Sequence, residues 1–167
     1  MRLQTRLLGA AGMLASIAAL MAPALGLGVP LVLHNTGSSM PPGFYAYSHA
    51  TPARRGEVIV LRDPPHFAWS WLMKRVEGTA GDLFCWRPDL GTHVLAGRIM
   101  PPPDPAAQRL GLGLEPWRGC HRLVAGEVVG YGQSPDSYDS RYLGPIAERR
   151  LWGIYRPMWG TVMPQGH

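Results

Sequence analysis

A single lysine stands out among the residues that could carry out acid–base chemistry. The 167-residue chain has 16 Lys and Arg side chains, of which 15 are Arg and one, Lys74, is Lys. Arginine keeps its proton in proteins, whereas a buried lysine can lose it and act as a base. A coding preference accounts for the arginines, so the one exception is a candidate for base chemistry.

Lys74 lies in a segment that reads as a strand, from Trp71 to Val76. Alternation along a strand points Leu72, Lys74 and Val76 to the same face, which buries Lys74 if the other two face the core. Burial disfavours the ammonium form, and a neutral amine near a serine hydroxyl is a general base. The alternative is an edge-strand lysine that extends to water.

Two further segments carry hydroxyl and charged groups. The loop from Asn35 to Tyr45 contains Ser38 and Ser39, which on their own read as turn serines. The segment from Tyr131 to Pro145 contains Ser137, Asp139 and Arg141, together with two further hydroxyl residues, Ser134 and Ser140. An Asp and an Arg two residues apart can pair and hold a turn, although a polar turn explains this segment equally well.

Together these segments resemble the type I signal peptidases, which are membrane-anchored serine proteases with a Ser/Lys dyad. Four blocks carry the resemblance, in the family's order: Ser39-Met40-Pro41, Arg55–Val60, Lys74–Asp82 and Asp139–Gly144. Order and spacing agree across roughly residues 30 to 82 and 124 to 156. The four blocks together are far more specific than any one of them.

The resemblance implies a role for each matching residue. Ser39 is the nucleophile, and its backbone N–H contributes to the oxyanion hole. Lys74 is the general base, and Ser137 orients the Lys74 amine. Asp139 and Arg141 form the pair that holds their segment against the dyad. The family's chemistry implies no cofactor and no metal ion.

Details of the motifs favour one branch of the family. The run Ser39–Tyr45 and the run Asp139–Pro145 resemble the TraF-type peptidases of conjugative transfer, which process exported pilin precursors and in some members join the new ends into a ring. Many family members have a serine as an oxyanion donor where this chain has Gly37. The resemblance therefore leaves that role to Thr36 or Ser38, or leaves it unfilled.

The first 33 residues predict a membrane anchor. Residues 7–33 carry no charge, and roughly 20 apolar residues are enough for one span. Arg2 and Arg6 precede this run and favour a cytoplasmic N-terminus. The prediction is a single-pass protein of the bacterial inner membrane, in contact with its lipid, with residues 34–167 forming a periplasmic peptidase domain. A cleavable signal peptide ending near Ala22-Pro23-Ala24 is the competing interpretation.

The exported part predicts a mostly β fold. Strand-like segments lie at residues 43–48, 56–61, 71–76, 124–131 and 151–155. Residues 83–123 are rich in Pro and Gly and read as a variable insertion or subdomain. This insertion contains Cys85 and Cys120, and an oxidising compartment permits a disulfide between them; two free buried thiols are the alternative.

Charge and motif content limit the classes of function that the chain can have. A net charge of +5 spread over the sequence, without a basic cluster or a binding module, disfavours nucleic-acid binding. The expected partners are an exported precursor protein or propilin and the conjugation apparatus. The alternatives are a general type I signal peptidase, an inactive scaffold of a transfer apparatus, which intact Ser39 and Lys74 argue against, and a self-cleaving repressor, which the apolar N-terminal segment disfavours.

Overall fold

Short antiparallel strands make up most of the structure. The computed structural model describes residues 28–62, 71–104 and 114–158. Within these ranges the strands are β1 (Val32–Asn35), β2 (Gly43–His49), β3 (Val58–Arg62), β4 (Trp71–Gly78), β5 (Leu83–Arg87), β6 (Thr92–Leu95), β7 (Arg98–Ile99), β8 (Cys120–Arg122), β9 (Glu127–Tyr131), β10 (Ile146–Ala147) and β11 (Leu151–Pro157). A one-turn helix, α1 (Ser140–Leu143), precedes β10, and a 3-10 turn (Glu148–Arg150) follows it.

The larger sheet has seven strands in the order β1-β2-β11-β3-β4-β9-β10. Its central strands are buried on both faces, which is why β3 contains an unbroken apolar run from Val58 to Leu61. The two faces of β4 join different clusters: Leu72 and Val76 pack with the β3 residue Ile59, whereas Met73 packs on the opposite face. The prediction of a mostly β fold is confirmed.

The predicted strands correspond to β2, β3, β4, β9 and β11, with differences at their ends. The largest difference concerns residues 124–131, because β9 begins only at Glu127. A turn occupies the preceding residues: the Glu127 N–H donates to the Val124 carbonyl, and Gly126 has a φ of +83°. Glycine adopts this conformation without steric cost, so the strand starts after the turn.

The N-terminal strand begins inside the segment that the sequence assigns to the anchor. Val32 and Leu33 belong to β1, and Leu33 is buried in the same cluster as Met73. The predicted membrane helix itself lies outside the described residues. Within the described ranges, no helix has the length and apolar character that a membrane span requires.

The insertion forms a second sheet of four strands, in the order β7-β6-β5-β8. Cys85 and Cys120 are direct partners across β5 and β8 and are joined in a disulfide. The second sheet meets the larger one at Gly78, where a Cβ atom would lie 2.8 Å from Leu95. A glycine is needed here because the side chains of the second sheet occupy the space.

Candidate active site

The loop that carries Ser39 is held in place by a buried asparagine. The Asn35 side-chain amide donates to the carbonyl oxygens of Gly37, Met40 and Pro41 at 3.2, 2.8 and 3.1 Å. Its oxygen accepts the Gly37 N–H at 3.3 Å. Met40 is only 1% exposed. The loop is therefore anchored on both sides of Ser39, and Ser39 lies at the start of its buried segment.

Lys74 is buried, as the alternation along β4 predicts. The side chain is 1% exposed and shares its face of the strand with Leu72 and Val76. Burial lowers the Lys74 pKa to about 8, since a charged amine loses its hydration there. The Asp139 and Asp136 carboxylates oppose this change and the Arg141 guanidinium adds to it. A usable fraction of Lys74 is thus neutral near neutral pH.

Ser39 and Ser137 are in direct contact. The Ser137 hydroxyl donates to the Ser39 hydroxyl oxygen at 3.1 Å, across 98 residues of sequence. Gly132 packs against both: a Cβ atom there would lie 2.7 Å from Ser137 Cβ and 3.0 Å from Ser39 Cβ. The next residue, Gln133, donates its N–H to the Ser39 carbonyl at 2.7 Å. Any larger residue than glycine at position 132 would separate the serines.

The pairing of β4 with β9 brings Lys74 to the same place. Arg75 is opposite Tyr131 and Val76 is opposite Gly130. Extending this register by one pair sets Lys74 opposite Gly132, which contacts both serines. A Cβ atom at Gly130 would lie 3.2 Å from Lys74 Cβ, so the lysine stem packs directly on β9. The stem of Lys74 therefore lies beside the C-terminal end of β9, and the residue that follows β9, Gly132, contacts both serines.

Asp139 and Arg141 form a fully buried ion pair. Arg141 donates to the Asp139 carboxylate from Nε at 2.9 Å, from Nη2 at 2.7 Å and from its backbone N–H at 3.0 Å. The same carboxylate accepts the Gly132 N–H at 2.8 Å. Arg141 also donates to the carbonyls of Ser134 and Pro135, each at 2.8 Å. The pair thus fixes both Gly132 and the turn that leads to Ser137.

The second sheet supports this pair through one tryptophan. The Trp117 N–H donates to the Arg141 carbonyl at 2.9 Å, and the Trp117 carbonyl is bonded to His93 Nε2 at 2.7 Å. The indole ring stacks on Phe84 with ring centroids 5.1 Å apart. A Cβ atom at Gly144 would lie 2.7 Å from the indole, which leaves room only for glycine. The insertion is therefore in contact with the site segment.

Three residues with structural roles at the site were missed in the sequence: Asn35, Gly132 and Trp117. Asparagine and glycine are frequent in any turn, so their type carries no signal. Trp117 lies in the Pro- and Gly-rich insertion, for which the sequence offered no register. In the described part of the chain, no three His, Cys, Asp or Glu side chains group in a way that could hold a metal ion.

Comparison with known proteins shows which family the chain matches. The model of the family described as signal peptidase, peptidase S26, matches residues 5–159. The chain is also similar to a signal peptidase I from Enterococcus faecalis V583 at 17% identity, over 64% of this chain and 98% of that chain, with a TM-score of 0.38. No curated protein matches the chain. The family match includes every segment of the site described above.

Proposed function

The chain belongs to the signal peptidase family, peptidase S26, and on that premise we propose that it is a serine endopeptidase in which Ser39 and Lys74 form a catalytic dyad. Family membership makes it a serine peptidase of the signal peptidase type, acting on exported precursor proteins. The observation that supports the dyad is the burial of Lys74 on β4, next to the end of β9 from which Gly132 contacts Ser39. This burial lowers the Lys74 pKa to about 8.

The proposed reaction has two halves. The Ser39 hydroxyl attacks the carbonyl carbon of the scissile bond while the neutral Lys74 amine takes the hydroxyl proton. Lys74 then gives this proton to the leaving amine, and the acyl group remains on Ser39. A water molecule, deprotonated by Lys74, attacks the acyl-Ser39 ester and releases the product. Each half needs Lys74 to be neutral when the attack begins.

The remaining site residues are proposed to orient the dyad and stabilise its charge. Ser137, whose hydroxyl is 3.1 Å from the Ser39 hydroxyl, positions the Lys74 amine. The Ser39 N–H donates to the oxyanion, and the hydrogen bonds from Asn35 keep this N–H in a fixed orientation. Asp139 and Arg141 hold Gly132 and the Ser137 turn, so that the distance between the serines is preserved.

We further propose a location and a substrate. The residues before β1 anchor the protein in the bacterial inner membrane with the N-terminus in the cytoplasm, and the chain from β1 onward acts in the periplasm. The TraF-type runs Ser39–Tyr45 and Asp139–Pro145 favour a propilin of a conjugation apparatus as the substrate. Ring closure is chemically compatible with the dyad, because an amine can attack acyl-Ser39 in place of water.

A general signal peptidase is the second candidate, since the matching family model carries that description. Such an enzyme would process many secretory precursors. A conjugative peptidase would process a propilin and leave most others uncut. Genes for conjugation beside the gene for this chain would favour the narrower function.

Co-expression tests these proposals. The full-length chain is produced with a candidate propilin and, separately, with a secretory precursor that has an Ala-x-Ala site, and processing is followed by mass spectrometry. We expect cleavage that is lost in Ser39→Ala and Lys74→Ala and retained in the control Ser48→Ala, in β2. Cleavage that survives either dyad change contradicts the dyad. Cleavage of the secretory precursor alone contradicts the propilin role.

A further inference from the structure

A groove with charged walls lies beside Ser39. It encloses about 260 Å³ between the two sheets, and its walls include Arg75 and Glu77 of β4, Tyr131 and Gln133 at the end of β9, and Arg98 and Pro101 of the insertion. The proposed reaction uses none of these side chains, and the ion pair of Asp139 and Arg141 touches only Tyr131, over whose ring the Arg141 guanidinium lies at 5.3 Å. We refer to this feature as the charged groove.

The charged groove adjoins the nucleophile through two residues. Gly132 lines the groove, and a Cβ atom there would lie 3.0 Å from Ser39 Cβ. Gln133 also lines it and donates its N–H to the Ser39 carbonyl at 2.7 Å. An extended chain advances about 3.3 Å per residue, so a peptide held at Ser39 reaches the groove within a few residues of the cleaved bond.

The charges in the groove favour an acidic ligand. Three charged side chains line the groove: the guanidinium groups of Arg75 and Arg98 and the carboxylate of Glu77. Arg98 Nη2 lies 3.0 Å from Glu77 Oε2, and its side chain is 56% exposed. A guanidinium has five N–H donors in a fork, so Arg98 can hold Glu77 and a second carboxylate at once.

Precursor chemistry indicates which part of the substrate carries that carboxylate. The residues before a signal-type cleavage site form an apolar segment that ends in small side chains. A charged groove offers nothing to such residues, because an apolar side chain gains no partner from a guanidinium. Charged residues are first encountered after the site, in the part of the precursor that leaves with the new amino terminus.

We propose that the charged groove binds an acidic side chain of the substrate that follows the cleaved bond, with Arg98 as the residue that selects it. This inference rests on the proposed function of Ser39. It adds a substrate preference that the dyad alone does not supply: precursors with Asp or Glu early in the mature part are cleaved faster than those with Lys.

The test uses precursor peptides with one Ala-x-Ala site and with Asp, Asn or Lys placed in turn at each of the residues that follow it. The enzyme is the full-length chain in detergent, as wild type, Arg98→Glu or the control Arg87→Glu. Arg87 is a matched choice because it lies in the same sheet, is 51% exposed and pairs with Asp89 at 2.6 Å. Thermal unfolding of each variant checks that it is folded.

At one position at least, we expect the wild type to cleave the Asp peptide about threefold to fivefold faster in kcat/KM than the Lys peptide, the range of one exposed ion pair. Arg98→Glu should reverse this preference, and Arg87→Glu should keep it. An unchanged preference in Arg98→Glu overturns the inference while cleavage of the Asn peptide leaves the proposed function standing. No cleavage of any peptide by the wild type overturns both.

Discussion

At the residue scale, Lys74 differs from the fifteen arginines of the chain because its side chain can lose its proton. Its side chain is 1% exposed and its pKa falls to about 8 because burial disfavours the charged amine. An arginine in this place would remain protonated. The nearby Asp139 and Arg141 act on the Lys74 pKa in opposite directions, so the ion pair changes it little compared with burial.

The first prediction concerns the pH dependence of cleavage. Lys74 must be neutral to accept the Ser39 proton, and its pKa is about 8. We expect kcat/KM to rise about tenfold per pH unit below this value and to level off above it. Initial rates with an Ala-x-Ala peptide between pH 5 and about 10 measure the profile. A rate that is flat from pH 6 to about 9 would contradict the assignment of Lys74 as base.

A matched pair of variants sharpens this measurement. The Asp136 carboxylate raises the Lys74 pKa, so Asp136→Asn should move the rising limb to lower pH. Asp89→Asn removes a carboxylate that pairs with Arg87 in the second sheet, and this control should leave the limb in place. Equal profiles for all three proteins would argue that the limb belongs to another group.

The second prediction concerns stability. The Lys74 pKa is about 8 when folded and about 10.4 when unfolded. Between these two pKa values the unfolded chain binds more protons than the folded chain, so the stability of the wild type rises with pH there. Below about pH 8 the lysine is charged in both states, and the folded protein carries the full cost of burying that charge, about 3 kcal/mol. Lys74→Met should therefore be more stable than wild type at pH 7, with an advantage that shrinks by about pH 10.5. Urea unfolding at several pH values tests this, and a difference that does not vary with pH would contradict it.

Residue identity at the site was predictable only where the chemistry demands a particular side chain. Ser39, Lys74, Ser137, Asp139 and Arg141 were all named from the sequence by resemblance to the family. Lys74 lies within β4, Ser39 lies in the loop between β1 and β2, and the other three lie at or just before the start of α1. The supporting residues were not named, because a buried asparagine or a glycine without space for a Cβ looks like any turn residue until its neighbours are known.

At the scale of elements, apolar runs and apolar alternation located five strands of the larger sheet, including β3 and β4. The insertion could not be resolved in the same way. Its strands β5 to β8 are short and lie among Pro and Gly residues, so no window carries a clear period. The start of β1 was also hidden, because Val32 and Leu33 continue an apolar run that reads as a membrane span.

The third prediction concerns the second sheet and its disulfide. Cys85 and Cys120 close a loop of 35 residues, which the chain-entropy model values at about 4 kcal/mol. We expect Cys85→Ala with Cys120→Ala to lower the free energy of unfolding by about this amount. Activity should fall as well, since Trp117 reaches Arg141 from the segment just before Cys120.

Urea unfolding with and without a reductant measures this effect. The wild type should lose stability in the reductant, and the double variant should not respond to it. Wild-type stability in the double variant would show that the disulfide contributes nothing to the fold.

At the scale of the whole molecule, the catalytic domain follows directly after an uncharged segment. β1 begins at Val32, within the last residues of the predicted anchor, and the loop that follows β1 carries Ser39. A site tethered in this way would act on precursor segments that emerge at the membrane surface.

The fourth prediction concerns this tether. The full-length chain should stay with the membrane fraction after an alkaline carbonate wash, because about 20 apolar residues suffice for a stable span. Added protease should digest residues 34–167 in cells with an opened outer membrane and leave them intact in closed cells. Release of the whole protein by the wash, or protection in opened cells, would contradict the proposed location.

The central claim is that Ser39 and Lys74 act as a pair, and the rate of cleavage of one precursor by purified full-length variants tests it most directly. Single-turnover rates are compared for wild type, Ser39→Ala, Lys74→Arg, the double variant and the control Ser48→Ala, with unfolding curves to confirm that each is folded. We expect each single variant to lose at least about 10⁴-fold in rate and the double variant to lose no more, since residues that act as a unit are not additive. A folded Lys74→Arg protein with near wild-type rate, or losses that multiply in the double variant, would contradict the dyad.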